Sequence, residues 1–383
     1  MIYLDNSATT KPCEAALDAS REMQCEMWYN PSSPYRQAVR VERKIAACRE
    51  TIAGMLGAAP SGVLFTAGGT EADSLAILGS AARFRGPSRA LLFQAEHSAV
   101  RTTAAELERM GHSVSFVPAT DQGVIDLDAL SVRLAPDVRL VSCMQVGNET
   151  GAVQPLAEIA RMVRDKCPDA VFHVDGAQGF LRLPVDLPGV GIDLYALSAH
   201  KIHGPKGVGA LVCGPRAKLS ARVTGGGQEF GLRSGTENTA GIAAVAAAAE
   251  WVRGEYVAEH IRAIKMRIFG RLRDGIDGLR VNGPDPGSLD AAPHILNVSF
   301  PGIGGEVMVH ALEEEGVLVG TGAACSSKKR SMSAAFEAMR APAWAAESAV
   351  RISVGLNNTL EEAEKAVEAM LKSYAKHRNV RRK

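Results

Sequence analysis

Residues 316–333, GVLVGTGAACSSKKRSMS, place Cys325 among glycine, alanine, threonine and serine, with Lys328, Lys329 and Arg330 within five positions. A thiol beside cations ionises more readily, and the thiolate is the nucleophile. Cys325 therefore reads either as a reactive group or as a structural thiol in polar surroundings. Three other stretches can do chemistry. FTAGGTEADSLAI is an apolar run ending in a glycine turn that opens into a helical pattern. Free amides and the dipole at a helix start favour an anion such as a phosphate, to which Gly69 and Thr70 offer an amide and a hydroxyl. The stretch is neither a GxxxxGK[ST] loop nor a GxGxxG fingerprint. In VFHVDGAQ, Asp175 follows a mainly apolar run. A carboxylate there is poorly solvated and needs a cationic partner, unless it only caps a turn. DLYALSAHKIHGPKG presents Ser198, His200 and Lys201 in close succession. A desolvated lysine with a lowered pKa condenses with an aldehyde; the plainer reading makes Lys201 and Lys206 surface residues of a turn. An anion cradle, an aspartate for a pyridinium nitrogen and a lysine for an aldehyde are together what a pyridoxal phosphate site requires.

The elements that must position these groups are legible between Val63 and Pro215. GVLFTA, ALLFQ, VSFVP, VRLVSCMQV, AVFHVD, DLYALS and VGALVC read as buried strands. Between several of them lie EADSLAILGSAARF, LDALSVRLA and LAEIARMVRDKC, whose apolar residues recur at helical spacing. Alternating strands and helices predict an α/β fold with a mainly parallel, doubly wound sheet, and ligands of such sheets collect at the carboxyl ends of the strands. An alanine-rich helix, NTAGIAAVAAAAEWVRG, and a basic amphipathic helix from about Tyr256 to Gly278 follow. The pattern then changes to a turn-rich segment, a strand, GEVMVHALEEEG and the Cys325 stretch. A second, smaller α+β domain is expected from near Tyr256.

The totals agree with this organisation. A chain of 383 residues is long enough for two domains, and 46% hydrophobic with 22% charged residues marks a globular protein. A net charge of +1 gives no sign of a nucleic-acid or acidic-membrane partner. Only the closing KHRNVRRK is strongly basic; it reads as a solvated tail, or else as a docking tail for RNA or an acidic partner. The opening MIYLDNSATTKP has no basic region leading into an apolar one, and no apolar run reaches membrane-spanning length. The seven cysteines form no CxxC or Cys/His ligand pattern, so reduced thiols, a cytoplasmic setting and no metal site are expected.

With these residues in view, the chain resembles the cysteine desulfurases of the NifS/IscS type within the class V aminotransferases. The resemblance is carried almost end to end by YLDNSATTKP, NPSS, TAGGTEAD, EHSAV, GNETGAVQP, HVDGAQ, SAHKIHGPKGVGAL, GGGQEFGLRSGTENTAGI, GTGAACSS and RISVG. It implies a fold-type I pyridoxal phosphate enzyme with a mainly parallel seven-stranded sheet. A large domain would span 13–255, and a small domain would be formed by 1–12 with 256–383. By the same resemblance Lys201 holds pyridoxal phosphate covalently, Asp175 meets the pyridine nitrogen, Gln178 meets the ring hydroxyl, and His97 stacks on the ring and acts catalytically by moving a proton during substrate binding. Without the family, His97 would be an ordinary strand-end histidine. Gly69, Thr70, Ser198 and His200 would hold the phosphate, with Thr236 of RSGTEN reaching it from the other subunit of a homodimer. Asn148 and Arg351 match substrate-side positions, and the planar fork of Arg351 suits a carboxylate.

Cys325 aligns with the family's persulfide-forming cysteine. The implied reaction turns L-cysteine into L-alanine, with Lys201 as general base and sulfur left on Cys325 for an acceptor protein. That acceptor would be an iron–sulfur scaffold or a tRNA sulfurtransferase; no membrane and no direct nucleic-acid contact is expected. Tyr35, where many relatives carry histidine, and Gly147, where asparagine is frequent, depart from the common pattern. A class V aminotransferase, a selenocysteine lyase or a non-catalytic sulfur carrier on the same fold are the alternatives.

Overall fold

The computed structural model describes residues 1–321 and 332–378. Cys325 and its cationic neighbours, and the end of the basic tail, lie outside them. A short strand β1 (Ile2–Tyr3) precedes the seven strands of the main sheet: β2 (Val63–Thr66), β3 (Arg89–Phe93), β4 (Ser113–Val117), β5 (Val138–Ser142), β6 (Val171–Asp175), β7 (Leu194–Ser198) and β8 (Gly209–Cys213). These are the seven runs expected from the sequence. Their spatial order is β2-β8-β7-β6-β5-β3-β4, and every strand runs parallel to the rest except β8, which is antiparallel to both of its neighbours. Strands β2 and β7 are buried at every position and β6 at four of five, as expected where helices cover both faces.

The helix Gly69–Ala81 is buried around most of its circumference and runs across the sheet directly from the end of β2. A helix apolar on all sides belongs in the middle of a domain. The alanine-rich helix Thr239–Glu255 begins with Asn238, whose side chain accepts from the Gly241 amide at 3.0 Å. Its Ala244 and Ala248 meet Cys13 and Ala16 of the first helix region, where small side chains permit close approach.

A second apolar cluster joins Leu4 to residues from Ile261 through Met370. Here β9 (Arg280–Val281), β10 (Ile295–Ser299) and β12 (Ala349–Ser353) form an antiparallel sheet with β10 in the middle, while β11 (Val317–Leu318) pairs in parallel with β1. The start of the chain is thus stitched to its last third, and the segment after β1 then crosses to the main sheet. No helix among the described residues is long and apolar enough to cross a membrane. No group of three His, Cys, Asp or Glu among them could hold a metal ion.

One residue of this second cluster breaks the apolar pattern. Lys265, in the helix Ala258–Gly275, is 0% exposed and donates to the Ala292 carbonyl at 2.8 Å. Burial, with Arg262 nearby, pushes its ammonium down to about 7, against a small opposing pull from Asp285. The unfolded lysine keeps its proton up to about 10.4. The unfolded chain therefore binds more protons between those limits, and stability rises with pH across that window. Lys265→Met removes the penalty and is expected to stabilise the fold by on the order of a few kcal/mol at about pH 6, and by less near pH 10. Urea unfolding at both pH values checks this; an equal shift at both would contradict it.

Candidate active site

The carboxyl ends of the parallel strands open into a cavity of about 570 Å³, within the range of small-ligand sites. Gly69, Thr70, His97, Asn148 and Asp175 line it, as do Gln178, Ser198, His200, Lys201 and Arg351. Ten sequence-predicted residues from six separate stretches thus converge on one space. Thr236 does not line it and is exposed. Cys325 is outside the described residues, but Met332 and Ser333, which follow its stretch, are part of the wall.

Lys201 is held by the N-terminal segment. The chain leaves β7 through a single turn, Ala199–Lys201, and Nζ donates to the carbonyls of Ser7 and Ala8 at 2.6 and 2.8 Å. Burial pushes this ammonium down to about 8, and Arg351 and Arg182 push the same way; Asp175 and Asp5 pull it back. Thr10 fixes the same turn through the carbonyl of His200, and Cys13 fixes the next through that of His203. The motif DNSATTK is therefore the seat of the lysine. Arg182 completes the seat by donating to the Lys201 carbonyl at 2.6 Å and to Gln178 Oε1 at 2.9 Å. Gln178 Nε2 spends one hydrogen on Ser7 O at 2.9 Å, which leaves one for a ligand.

Asp175 ends β6, is 6% exposed, and accepts from the Ala177 amide at 2.9 Å. The turn-capping bond is real, and it leaves the second oxygen for the cavity. Burial pushes the carboxyl up, while His97, the Ala177 amide and Lys201 push it down. Gly176 follows because Tyr195 packs beneath this turn: a Cβ there would lie 2.0 Å from the Tyr195 ring. His97 caps the short helix Ser98–Arg101, its Nδ1 accepting from Ala99 N at 3.2 Å, so Nε2 carries the proton.

At the other end, Gly68 turns β2 into the helix Gly69–Ala81 with φ +155°, and a Cβ on Gly209 of β8 would strike that turn at 2.8 Å. The close approach brings Ser198 beside the first helical amides, which have no acceptor one turn earlier. His200, pushed down to about 4 by burial and by Lys201, Lys206 and Arg182, faces Thr9 Oγ1 at 3.1 Å as a neutral ring. Arg351, 5% exposed, donates to Asn148 O at 2.9 Å and to Asp5 Oδ1 at 2.8 Å, and its Nε is buried without a partner.

These residues fit pyridoxal phosphate. A buried carboxylate, a depressed amine and a helix start with a serine hydroxyl stand around one cavity, each with bonding capacity left for a ligand. Sequence reasoning missed Asp73, Glu96, Arg101 and Glu149, which also line the cavity. Glu149 is pushed up to about 7 by burial, against a hydrogen bond from Ser333 Oγ at 2.6 Å and the charges of Arg351 and Arg101. The available signal was polarity inside apolar runs: Asp73 in EADSLAILGSA and His173 in VFHVD interrupt otherwise buried patterns.

Comparison with known proteins agrees with this geometry. Residues 2–366 match the family described as Aminotransferase class-V. A NifS/IcsS protein homolog of Lactobacillus delbrueckii subsp. bulgaricus is 38% identical, over 98% of this chain and 97% of its own. The cysteine desulfurase IscS of Proteus mirabilis is 37% identical, over 96% and 91% respectively. Among solved structures, a NifS-like protein superposes with a TM-score of 0.89 at 31% identity, covering 97% of this chain and 98% of that one. The chain belongs to the class-V aminotransferase family, as one of its pyridoxal phosphate enzymes of the NifS and IscS type.

Proposed function

We propose that this chain is a cysteine desulfurase that converts L-cysteine to L-alanine and passes the sulfur through Cys325 to an acceptor protein. The observation that carries the reading is the convergence of Lys201, Asp175, His97 and Arg351 on one cavity whose wall also includes Met332 and Ser333. When bound, pyridoxal phosphate supplies an electron sink for charge developing at the substrate Cα. Lys201 would hold the cofactor and take the Cα proton; an amine that titrates near 8 suits a general base. Asp175 would keep the ring nitrogen protonated, and Gln178 would offer its remaining amide hydrogen to the ring hydroxyl. Gly69, Thr70, Ser198 and His200 hold the phosphate. Arg351 binds the substrate carboxylate beside Asn148, sharing its guanidinium with Asp5.

Cysteine and the enzyme thiol together give alanine and an enzyme persulfide, with no outside oxidant or reductant. The substrate Cβ–Sγ bond breaks, a sulfur–sulfur bond to Cys325 forms, and the electron pair left on carbon takes a proton. An acceptor thiol then collects the sulfur by exchange. An iron–sulfur scaffold or a tRNA sulfurtransferase suits this role, in a cytoplasmic setting.

The domain division at 13–255 against 1–12 with 256–383 is supported by the two separate apolar clusters, the second of which includes Leu4. A homodimer in which Thr236 reaches the partner's phosphate is supported by the turn just before it. Glu229 is clamped by Arg49, with both carboxylate oxygens at 2.6 Å, and accepts from the Phe65 amide at 2.9 Å. Yet the adjoining Phe230 is 60% exposed, as is Trp28 at 65%. An exposed aromatic on a turn anchored by a buried ion pair supports an interface there.

The test is alanine formation from L-cysteine by the purified holoenzyme, with and without a reducing thiol. Continuous turnover with thiol, falling to about one alanine per active site without it, is expected. Cofactor-loaded protein that makes no alanine would overturn the reading.

A further inference from the structure

Beneath the cavity, four polar side chains that the proposed reaction does not use form a continuous file. Ser142 Oγ, on β5, lies 2.9 Å from Glu96 Oε1 and 2.9 Å from His173 Nδ1 on β6. His173 Nε2 lies 3.3 Å from Asp73 Oδ1, on the helix Gly69–Ala81. All four residues are buried, and the two ends, Asp73 and Glu96, both line the cavity beside Asp175.

Proton bookkeeping allows two directions. Ser142 has one hydrogen to give. If it donates to Glu96 it accepts from His173 Nδ1–H, which leaves His173 Nε2 bare, to be met by a proton on Asp73. The reverse direction needs a protonated Glu96 donating to Ser142 and an ionised Asp73 under His173. The surroundings select between them. Burial and the charge of Asp175 push the Glu96 carboxyl up as they do that of Asp73, but Glu96 alone is approached by donors that oppose this, the Ser142 hydroxyl and the amides of His97 and Met144, so it is the accepting end. Apart from each other, Asp73 Oδ1 and His173 Nε2 have no partner, and a proton shared between them satisfies two otherwise orphaned buried atoms. Burial holds His173 down to about 3, as a neutral ring, and burial with the charges of Asp175 and Glu96 holds the Asp73 proton on.

We infer that the file runs in one direction, from protonated Asp73 through His173 and Ser142 to ionised Glu96, and keeps Asp73 neutral so that it does not compete with Asp175 for the charge offered to the ring nitrogen. The inference rests on the placement of Asp175 proposed above and deepens it. Asp73, His173, Ser142 and Glu96 are positioning residues: they act on the cofactor through Asp175. The other titratable groups facing Asp175 are His97 after β3, Tyr195 on β7 and Lys201 after it; Cys143, after β5, faces Glu96.

Two measurements on the holoenzyme test this. The first is the pH titration of the cofactor's visible absorption in wild type, Asp73→Asn and His173→Phe. A carboxamide donates to His173 Nε2 as a protonated acid does, so Asp73→Asn is expected to keep the wild-type midpoint. His173→Phe removes the acceptor and is expected to move the midpoint by about one unit or more. A shift of that size in Asp73→Asn would mean that an ionised Asp73 was present, and would overturn the inference. The second is nitrogen NMR of labelled histidine, with the His173 signal assigned by its loss in His173→Phe, or in His173→Gln should the first variant fail to fold. The neutral Nδ1–H tautomer, unchanged from about pH 5 to 9, is expected; an imidazolium or an Nε2–H tautomer would overturn the inference. Because the NMR result does not depend on cofactor contacts, a failure of the Asp175 assignment shows itself separately, as an unaltered cofactor spectrum in Asp175→Asn.

Discussion

Lys201→Ala is expected to lower alanine formation by about 10³-fold or more, while the protein stays folded and still binds pyridoxal phosphate noncovalently. The size of the effect follows from the two tasks proposed for one amine, holding the cofactor and taking the Cα proton. The surroundings of Lys201 serve both. Its Nζ rests on two carbonyls, Ser7 O and Ala8 O, rather than on a carboxylate, so no ion pair stabilises the charged form. Burial and two arginines bring its titration to about 8, where a useful fraction is free amine at neutral pH. A small primary amine added to the variant is expected to restore part of the rate, since it replaces the missing base without its tether. Turnover within about tenfold of wild type would remove Lys201 from the chemistry.

Asp175→Asn carries the second large effect, a loss of about 100- to 1000-fold in turnover with cofactor binding retained. The carboxylate sits at the end of a buried strand, and its Oδ1 is already fixed by the Ala177 amide. Asparagine preserves that turn and the side-chain volume but removes the charge proposed to keep the ring nitrogen protonated. Without that proton the ring withdraws electrons poorly, and removal of the Cα proton becomes harder. Because the turn survives, the thermal midpoint is expected to change little, and the loss falls on turnover more than on KM. A variant that unfolds instead would assign Asp175 to the fold rather than to the chemistry.

How much of this was legible in the sequence depends on the kind of information each part needed. All seven strands of the main sheet fall on runs visible in the sequence; six are mostly buried, as strands covered on both faces must be, whereas β4, at the edge of the sheet, is buried only at Val117 and departs from the buried strand expected there. Asp175, Ser198 and Lys201 were legible for the same reason: a polar residue directly after such a run stands at the ligand edge of the sheet. The antiparallel setting of β8 was not legible, since direction is set by which neighbours a strand meets and not by its own residues. Nor was the role of Ser7 and Ala8, which act through carbonyl oxygens that every residue possesses. Arg182, which ties Lys201 to Gln178, was hidden in an unremarkable loop, GFLRLP. His97 and Arg351 needed the family resemblance, because a histidine at a strand end and an arginine in a strand are common structural features. The file from Asp73 to Glu96 joins residues on one helix, two strands and a turn, and only the folded chain brings them to hydrogen-bonding distance.

The central claim is that cofactor chemistry in this cavity hands the substrate's sulfur to Cys325. The most direct measurement is mass spectrometry of the Cys325 peptide after the holoenzyme meets L-cysteine without added thiol, with excess substrate removed and free thiols blocked at once. The account predicts a Cys325 peptide one sulfur atom heavier, formed in step with one alanine per active site, and no such species in Lys201→Ala. Alanine released while Cys325 keeps its unmodified mass, with the sulfur free as sulfide or carried on another cysteine, would contradict it.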